Sequence, residues 1–131
     1  MAQDQSAVSE RFPAVIVHGL ADARLALSAG LPVTLLSAPG AGLYAGCGWW
    51  RALIARVRAE APDLPVADIL DCADATGYAL AALRIGVTRL ILWSTAPSRD
   101  AAVAIAEQLG GFVLADAPTR SENGDKSQTP G

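Results

Sequence analysis

Lysine is almost missing from this chain: Lys126 is the only one in 131 residues, and histidine appears once, as His18. With 10 basic residues against 13 acidic ones and no basic cluster, the net charge of −3 lacks the electrostatic footprint of a nucleic-acid binder. One histidine and two cysteines, Cys47 and Cys72, show no metal-ligand spacing, so no metal site is expected. The same two cysteines make no disulfide framework, and a reducing bacterial cytoplasm is the expected compartment. Long apolar runs are absent as well. Gly, Pro or a charge interrupts the apolar stretches about every ten residues, too often for a bilayer span. The opening MAQDQSAVSER lacks the basic start and apolar stretch of a signal peptide. There is no G-K-[ST] triplet, which excludes a Walker loop.

What is abundant is small and apolar. Hydrophobic residues make up 52% of the chain, and the mean hydropathy is +0.33, high for a soluble monomer of this length. Residues 1–11 and 119–131 are polar and are expected to be disordered tails around one α/β domain at 12–118. Within the domain, short continuous apolar runs predict strands at Ala14–His18, Val33–Ser37, Val66–Cys72, Leu90–Ser94 and Phe112–Ala115. Continuous rather than alternating apolar character marks strands covered on both faces, as in parallel sheets. Helical periodicity predicts Ala21–Ala29, Trp49–Ala61, Ala75–Ile85 and Ser98–Leu109. Trp50, Leu53, Ile54 and Val57 form the core stripe of the second helix, and Ala102, Ile105, Ala106 and Leu109 that of the fourth.

A weak repeat supports this parse. Helices end at Gly30, Gly86 and Gly110, a strand follows each, and the strands close on Ala38-Pro39, Ala96-Pro97 and Ala117-Pro118. The expected fold is a single three-layer α/β/α domain with a five-stranded, mostly parallel sheet. Flavodoxin-like order (2-1-3-4-5) comes first, Rossmann-like order (3-2-1-4-5) second and a half-barrel pairing of TIM-like units third.

Ligands of open parallel sheets bind beyond the carboxyl ends of the strands. There the sequence places His18, Ser37, Asp71, Asp74, Ser94 and Thr95, beside the glycine-rich stretch from Ser37 to Trp50. Gly40, Gly42 and Ala45 fit the spacing of dinucleotide-binding turns, although the loop follows the second strand rather than the first. The expected ligand is a small anionic or phosphorylated metabolite held by Ser37, Gly40, Gly42, Gly46, Asp71, Asp74, Ser94 and Thr95. No cofactor is identified. The candidate reactive groups are His18, Cys47 and Asp71, in a nucleophile–base–orienter set if the three converge. Asp71 and Thr95 also sit where a receiver domain keeps its phosphoacceptor and threonine. The absence of an acidic pair after the first strand and of a lysine after the fifth counts against a working receiver. Asp74 has a simpler reading as the cap of the third helix. Of the adjacent Trp49 and Trp50, about 100° apart on a helix, one packs on the sheet and the other meets ligand or partner.

The alternative function is structural. The third helix is apolar on all sides, with Arg84 its only charge, and Val103 lies opposite the stripe of the fourth. Such helices are expected to be covered on two faces, which predicts a homo-oligomer through Ala75–Ile85 and Ser98–Leu109. The Val17–Trp50 and Ile69–Leu92 stretches together resemble short proteobacterial proteins of unknown function, over residues 13–118. That resemblance implies a compact α/β fold and brings no catalytic assignment. The helix–Gly–strand units also look loosely like pieces of TIM-barrel enzymes, a pattern generic to βα proteins.

Overall fold

The computed structural model describes residues 12–118, so the two tails lie outside the described residues. Its elements alternate as β1 (Ala14–Val17), α1 (Leu20–Leu27), β2 (Val33–Ser37), α2 (Ala41–Tyr44) and α3 (Cys47–Glu60). They continue as β3 (Val66–Asp71), α4 (Thr76–Arg84), β4 (Arg89–Ile91), α5 (Arg99–Gln108) and β5 (Phe112–Leu114). All four strand pairings are parallel, which makes a single α/β domain with helices between the strands. This is the broad class that contains the flavodoxin and Rossmann folds.

Within that class the strand order is sequential, β1-β2-β3-β4-β5. Neither 2-1-3-4-5 nor 3-2-1-4-5 is found; the pairing is that of the half-barrel arrangement. Right-handed crossovers that always step to the next strand keep every helix on one side of the sheet. The core has this form. Strand residues Val17, Leu35, Leu70 and Leu90 pack with helix residues from α1 through α5. Leu36, Ile69 and Ile91 point to the other face and cluster only with strand residues, Ile16, Phe112 and Leu114. The second helical layer expected from the doubly wound orders belongs to those orders and is not seen among the described residues.

The sequence periodicity finds its core where a helix lies over the middle of the sheet. Trp50, Leu53, Ile54 and Val57 are all buried on α3, each a contribution of about 1.5–3 kcal/mol from apolar burial. On α5 only Ala102 and Ala106 are buried, whereas Ile105 and Leu109 of the expected stripe are exposed. The physical reason is position. α5 packs against α4 and the end strand β5, whose three residues are themselves only half-buried, so there is little surface for a wide stripe to cover. The helix-ending glycines of the repeat, Gly30, Gly86 and Gly110, all adopt positive φ.

Gly111 has a different reason to be glycine. A β-carbon there would lie 1.9 Å from the Thr88 carbonyl oxygen. That carbonyl accepts the Phe112 amide at 2.9 Å, so the close approach is what brings β5 onto β4.

Candidate functional site

The carboxyl edge of the sheet gathers the candidate residues and commits Ser37, Asp71 and Gly46 to the protein's own backbone. After β2 the chain turns through Gly40, in the left-handed region at φ 72, into the short helix α2. Several of its amides are engaged: Ala41 N–H donates to Ala38 O at 3.0 Å, Leu43 N–H to Gly40 O at 2.9 Å, and Ala45 N–H to Ala41 O at 2.9 Å. Gly46 N–H also donates to Ala41 O, at 3.2 Å. The sequence predicts a glycine-rich turn here, with the next helix starting at Trp49 and no α2.

Gly42 is buried on α2, and its place is explained by packing. A β-carbon would stand 2.9 Å from Cys72 Sγ and 3.1 Å from the Asp71 carbonyl oxygen. The missing side chain lets α2 rest on the end of β3. Cys72 is fully buried, and burial, followed by the charges of Asp71 and Cys47, pushes its thiol up to about 12. It is therefore a protonated packing group at neutral pH. Cys47 is half-buried at the start of α3 and unbridged.

Ser37 and Asp71 lock two strand ends together. Ser37 Oγ accepts the Asp71 amide at 2.9 Å and donates to Ala38 O at 3.2 Å. Asp71 Oδ1 accepts the Ala73 amide at 2.8 Å, and Ala73 is a non-glycine residue at φ 51. An aspartate that bonds the amide two residues on is the standard support for such a turn. Next along the edge, Thr76 Oγ1 donates to the Pro97 carbonyl and Trp93 N–H to Ala73 O, tying the loops after β3 and β4 together.

The expected reactive set is not formed. His18 is exposed, and its ring Nδ1 pairs with Asp22 Oδ2 at 3.1 Å rather than with Asp71 or Cys47. Asp22 lies in the first turn of α1 and reaches back to the His18 amide at 2.8 Å, which holds its carboxyl below the usual range. The cap assigned to Asp74 is also absent: Ala75 precedes α4 and no side chain caps it. Asp74, Ser94 and Thr95 are exposed at the edge, and Gly46 is half-buried. Trp50 is buried, and Trp49, half-buried, packs on the same core with ring centroids 5.7 Å apart.

Arg99 escaped the sequence reading. Its Nε donates to Leu92 O at 2.6 Å and its Nη2 to Val113 O at 3.5 Å, closing the carbonyl ends of β4 and β5. The signal was an arginine opening a helix, where a cation is out of place against the helix dipole. Large apolar and aromatic side chains are left outside at this edge, Leu43, Tyr44, Tyr78 and Trp93, with Tyr44 70% exposed. α2 and α4 are in contact, so Tyr44 and Tyr78 belong to neighbouring helices of one rim.

Among the described residues no group of three or more His, Cys, Asp or Glu side chains is placed to hold a metal ion. No described helix is long and apolar enough to cross a membrane. Fold and edge define a small parallel α/β domain with a self-bonded glycine loop and an aromatic rim. No family model matches the chain, and no curated protein matches it.

Proposed function

We propose that this chain is a non-catalytic α/β module that associates with a second copy of itself through the apolar rim at the carboxyl edge. One observation carries the reading. Where a parallel sheet offers its ligand site, the Ala41, Leu43, Ala45 and Gly46 amides are bonded to the chain's own carbonyls and four large apolar or aromatic side chains stand outside. Aromatic residues are the ones that supply most contact area per side chain at interfaces.

The helix pair expected from sequence contributes in part. Tyr78 of α4 is exposed in the rim, while Leu80 and Ile85 pack on the core. Ile105 and Leu109 of α5 are exposed as well, Leu109 at the far end of that helix. A closed two-fold pairing uses the same patch on both copies and needs no further partner. The buried, protonated Cys72 suits a reducing cytoplasm, where no disulfide is called for. The resemblance to short proteobacterial proteins belongs to the same reading and adds no activity to it.

Native mass spectrometry of gently purified protein is the test. A dimer or larger species is expected, and Tyr44→Glu with Tyr78→Glu should convert it to a monomer with an unchanged circular dichroism spectrum. A monomeric wild type overturns the proposal. The second reading, a small anionic ligand at the same edge, draws on the exposed Asp74, Ser94 and Thr95. A defined small-molecule mass retained by the wild type and lost from Thr95→Val would favour it.

A further inference from the structure

At the opposite end of the sheet, α3 and the starts of β3 and β4 enclose a cavity of about 190 Å³. Its lining includes Arg51 and Arg58 from α3, Asp68 from β3, and Thr88 and Arg89 at the start of β4. Arg51 and Arg58 are seven apart, two helical turns, and so share a face of α3. Three guanidiniums and one carboxylate leave a formal excess of two positive charges, in a protein whose net charge is −3.

The single carboxylate is already shared. Asp68 Oδ1 accepts Arg58 Nη2 at 2.7 Å and lies 3.7 Å from Arg89 Nη1. Arg58 Nη2 also donates to the Val66 carbonyl at 2.7 Å. Arg51 has no carboxylate partner among the described residues. Arg89 carries a buried Nε–H with no acceptor. A buried donor without an acceptor is costly and is rarely left so in a native protein.

We infer that this cavity is a site for a phosphate group, with the guanidinium groups of Arg51 and Arg89 as its principal donors and Thr88 in its lining. A planar guanidinium pairs with phosphate oxygens through parallel hydrogen bonds, which a lysine does not match. Size restricts the ligand. The cavity is smaller than the ~300–1,000 Å³ of pockets that enclose drug-sized ligands and cofactors, so it takes inorganic phosphate or the phosphate of a small monoester. The site is independent of self-association at the other edge.

The test is calorimetric titration of the full chain at low ionic strength with inorganic phosphate and, separately, with glycerol phosphate. Potassium chloride at matched ionic strength is the control. Saturable binding is expected to at least one of the two, with a rise in melting temperature that chloride does not give. Arg51 is exposed, so Arg51→Gln should fold normally and bind about tenfold more weakly, as loss of one charged hydrogen bond implies. Arg56→Gln, on the same helix but outside the cavity, should bind as the wild type does. Tighter binding of the monoester identifies a phosphorylated metabolite, and equal or tighter binding of the free ion identifies phosphate itself. Absence of saturable binding to both, or equal affinity in Arg51→Gln and wild type, overturns the assignment.

Discussion

At the carboxyl edge the side chains of Ser37, Asp71 and Thr76 are bonded to the protein's own backbone, and Leu43, Tyr44, Tyr78 and Trp93 stand outside. At the amino edge three arginines line one cavity around a single carboxylate, and a buried guanidinium N–H has no acceptor. The contrast shows that glycine content is a poor guide to where a ligand sits. Glycine permits close approach of whatever comes next, and here that is the protein itself. Gly42 near one edge receives Cys72, and Gly111 near the other receives the Thr88 carbonyl.

The sharpest way to compare the two edges is to refill each glycine. Gly111→Ala should have the larger effect, because its β-carbon would meet backbone, 1.9 Å from Thr88 O and 2.6 Å from Thr88 C. No rotamer change relieves that contact. A loss of more than about 3 kcal/mol is expected, read as a collapse of the urea midpoint or as insoluble protein. A midpoint equal to the wild type would show that β5 has freedom to move away from β4.

Gly42→Ala should cost less, about 1–3 kcal/mol, because the nearest atom is a side-chain sulfur. Combining it with Cys72→Ala removes that atom and should restore part of the loss. The expected coupling is about 0.5–3 kcal/mol in a double-mutant cycle of urea midpoints. Strict additivity would mean that the Asp71 carbonyl, at 3.1 Å, sets the limit instead. Either way, a bulky residue at Gly42 perturbs folding, so loss of ligand binding in such a variant would say nothing about the loop as a ligand site. Leu80→Glu has the same defect as an interface test, since Leu80 packs on the core.

Asp71→Ala comes next in size. It removes the acceptor that supports Ala73 at φ 51 and should cost about 1–2 kcal/mol in thermal unfolding. Ala73→Gly in the Asp71→Ala background should recover some of it, because glycine holds a positive φ without that support. If Asp71→Ala melts with the wild type, the turn is held by its backbone bonds, Trp93 N–H to Ala73 O and Ala75 N–H to Cys72 O.

These residues also show what the sequence made legible. The apolar runs and helical stripes located every strand and the four longer helices to within about three residues, the widest miss being the end of β4 at Ile91 rather than Ser94, because both signals are local. Strand order was not legible, since parallel pairing joins residues far apart: Leu36 meets Ile69, and Ile91 meets Leu114. The Ser37–Asp71 bond depends on the same non-local register. His18 was misjudged for the opposite reason, as its partner, Asp22, is only four residues away. The amino-edge arginines gave half a signal. Arg51 and Arg58 share a helical face, but only the β3–β4 pairing adds Asp68 and Arg89.

The smallest effect expected is one of pH, on the amino side. Glu60, the last residue of α3, accepts Arg24 Nη2 at 2.6 Å and Nε at 2.8 Å, and Arg56 Nε at 2.9 Å. The Arg24 hydrogen bonds, with Arg56 adding, bring its carboxyl down from 4.5 to about 2. A folded-state value below the unfolded one means the native state binds fewer protons, so this contribution is complete above 4.5 and is lost as pH falls through about 2. The group is exposed and the contribution correspondingly small, screened further by salt. Glu60→Gln should therefore lower the melting temperature slightly at pH 7 in low salt, and the gap from wild type should close toward pH 2. Half a molar salt should narrow it at pH 7 as well. A gap that is independent of pH would place the effect in packing of the side chain between α1 and α3 and remove the ion pairs from the account of this edge.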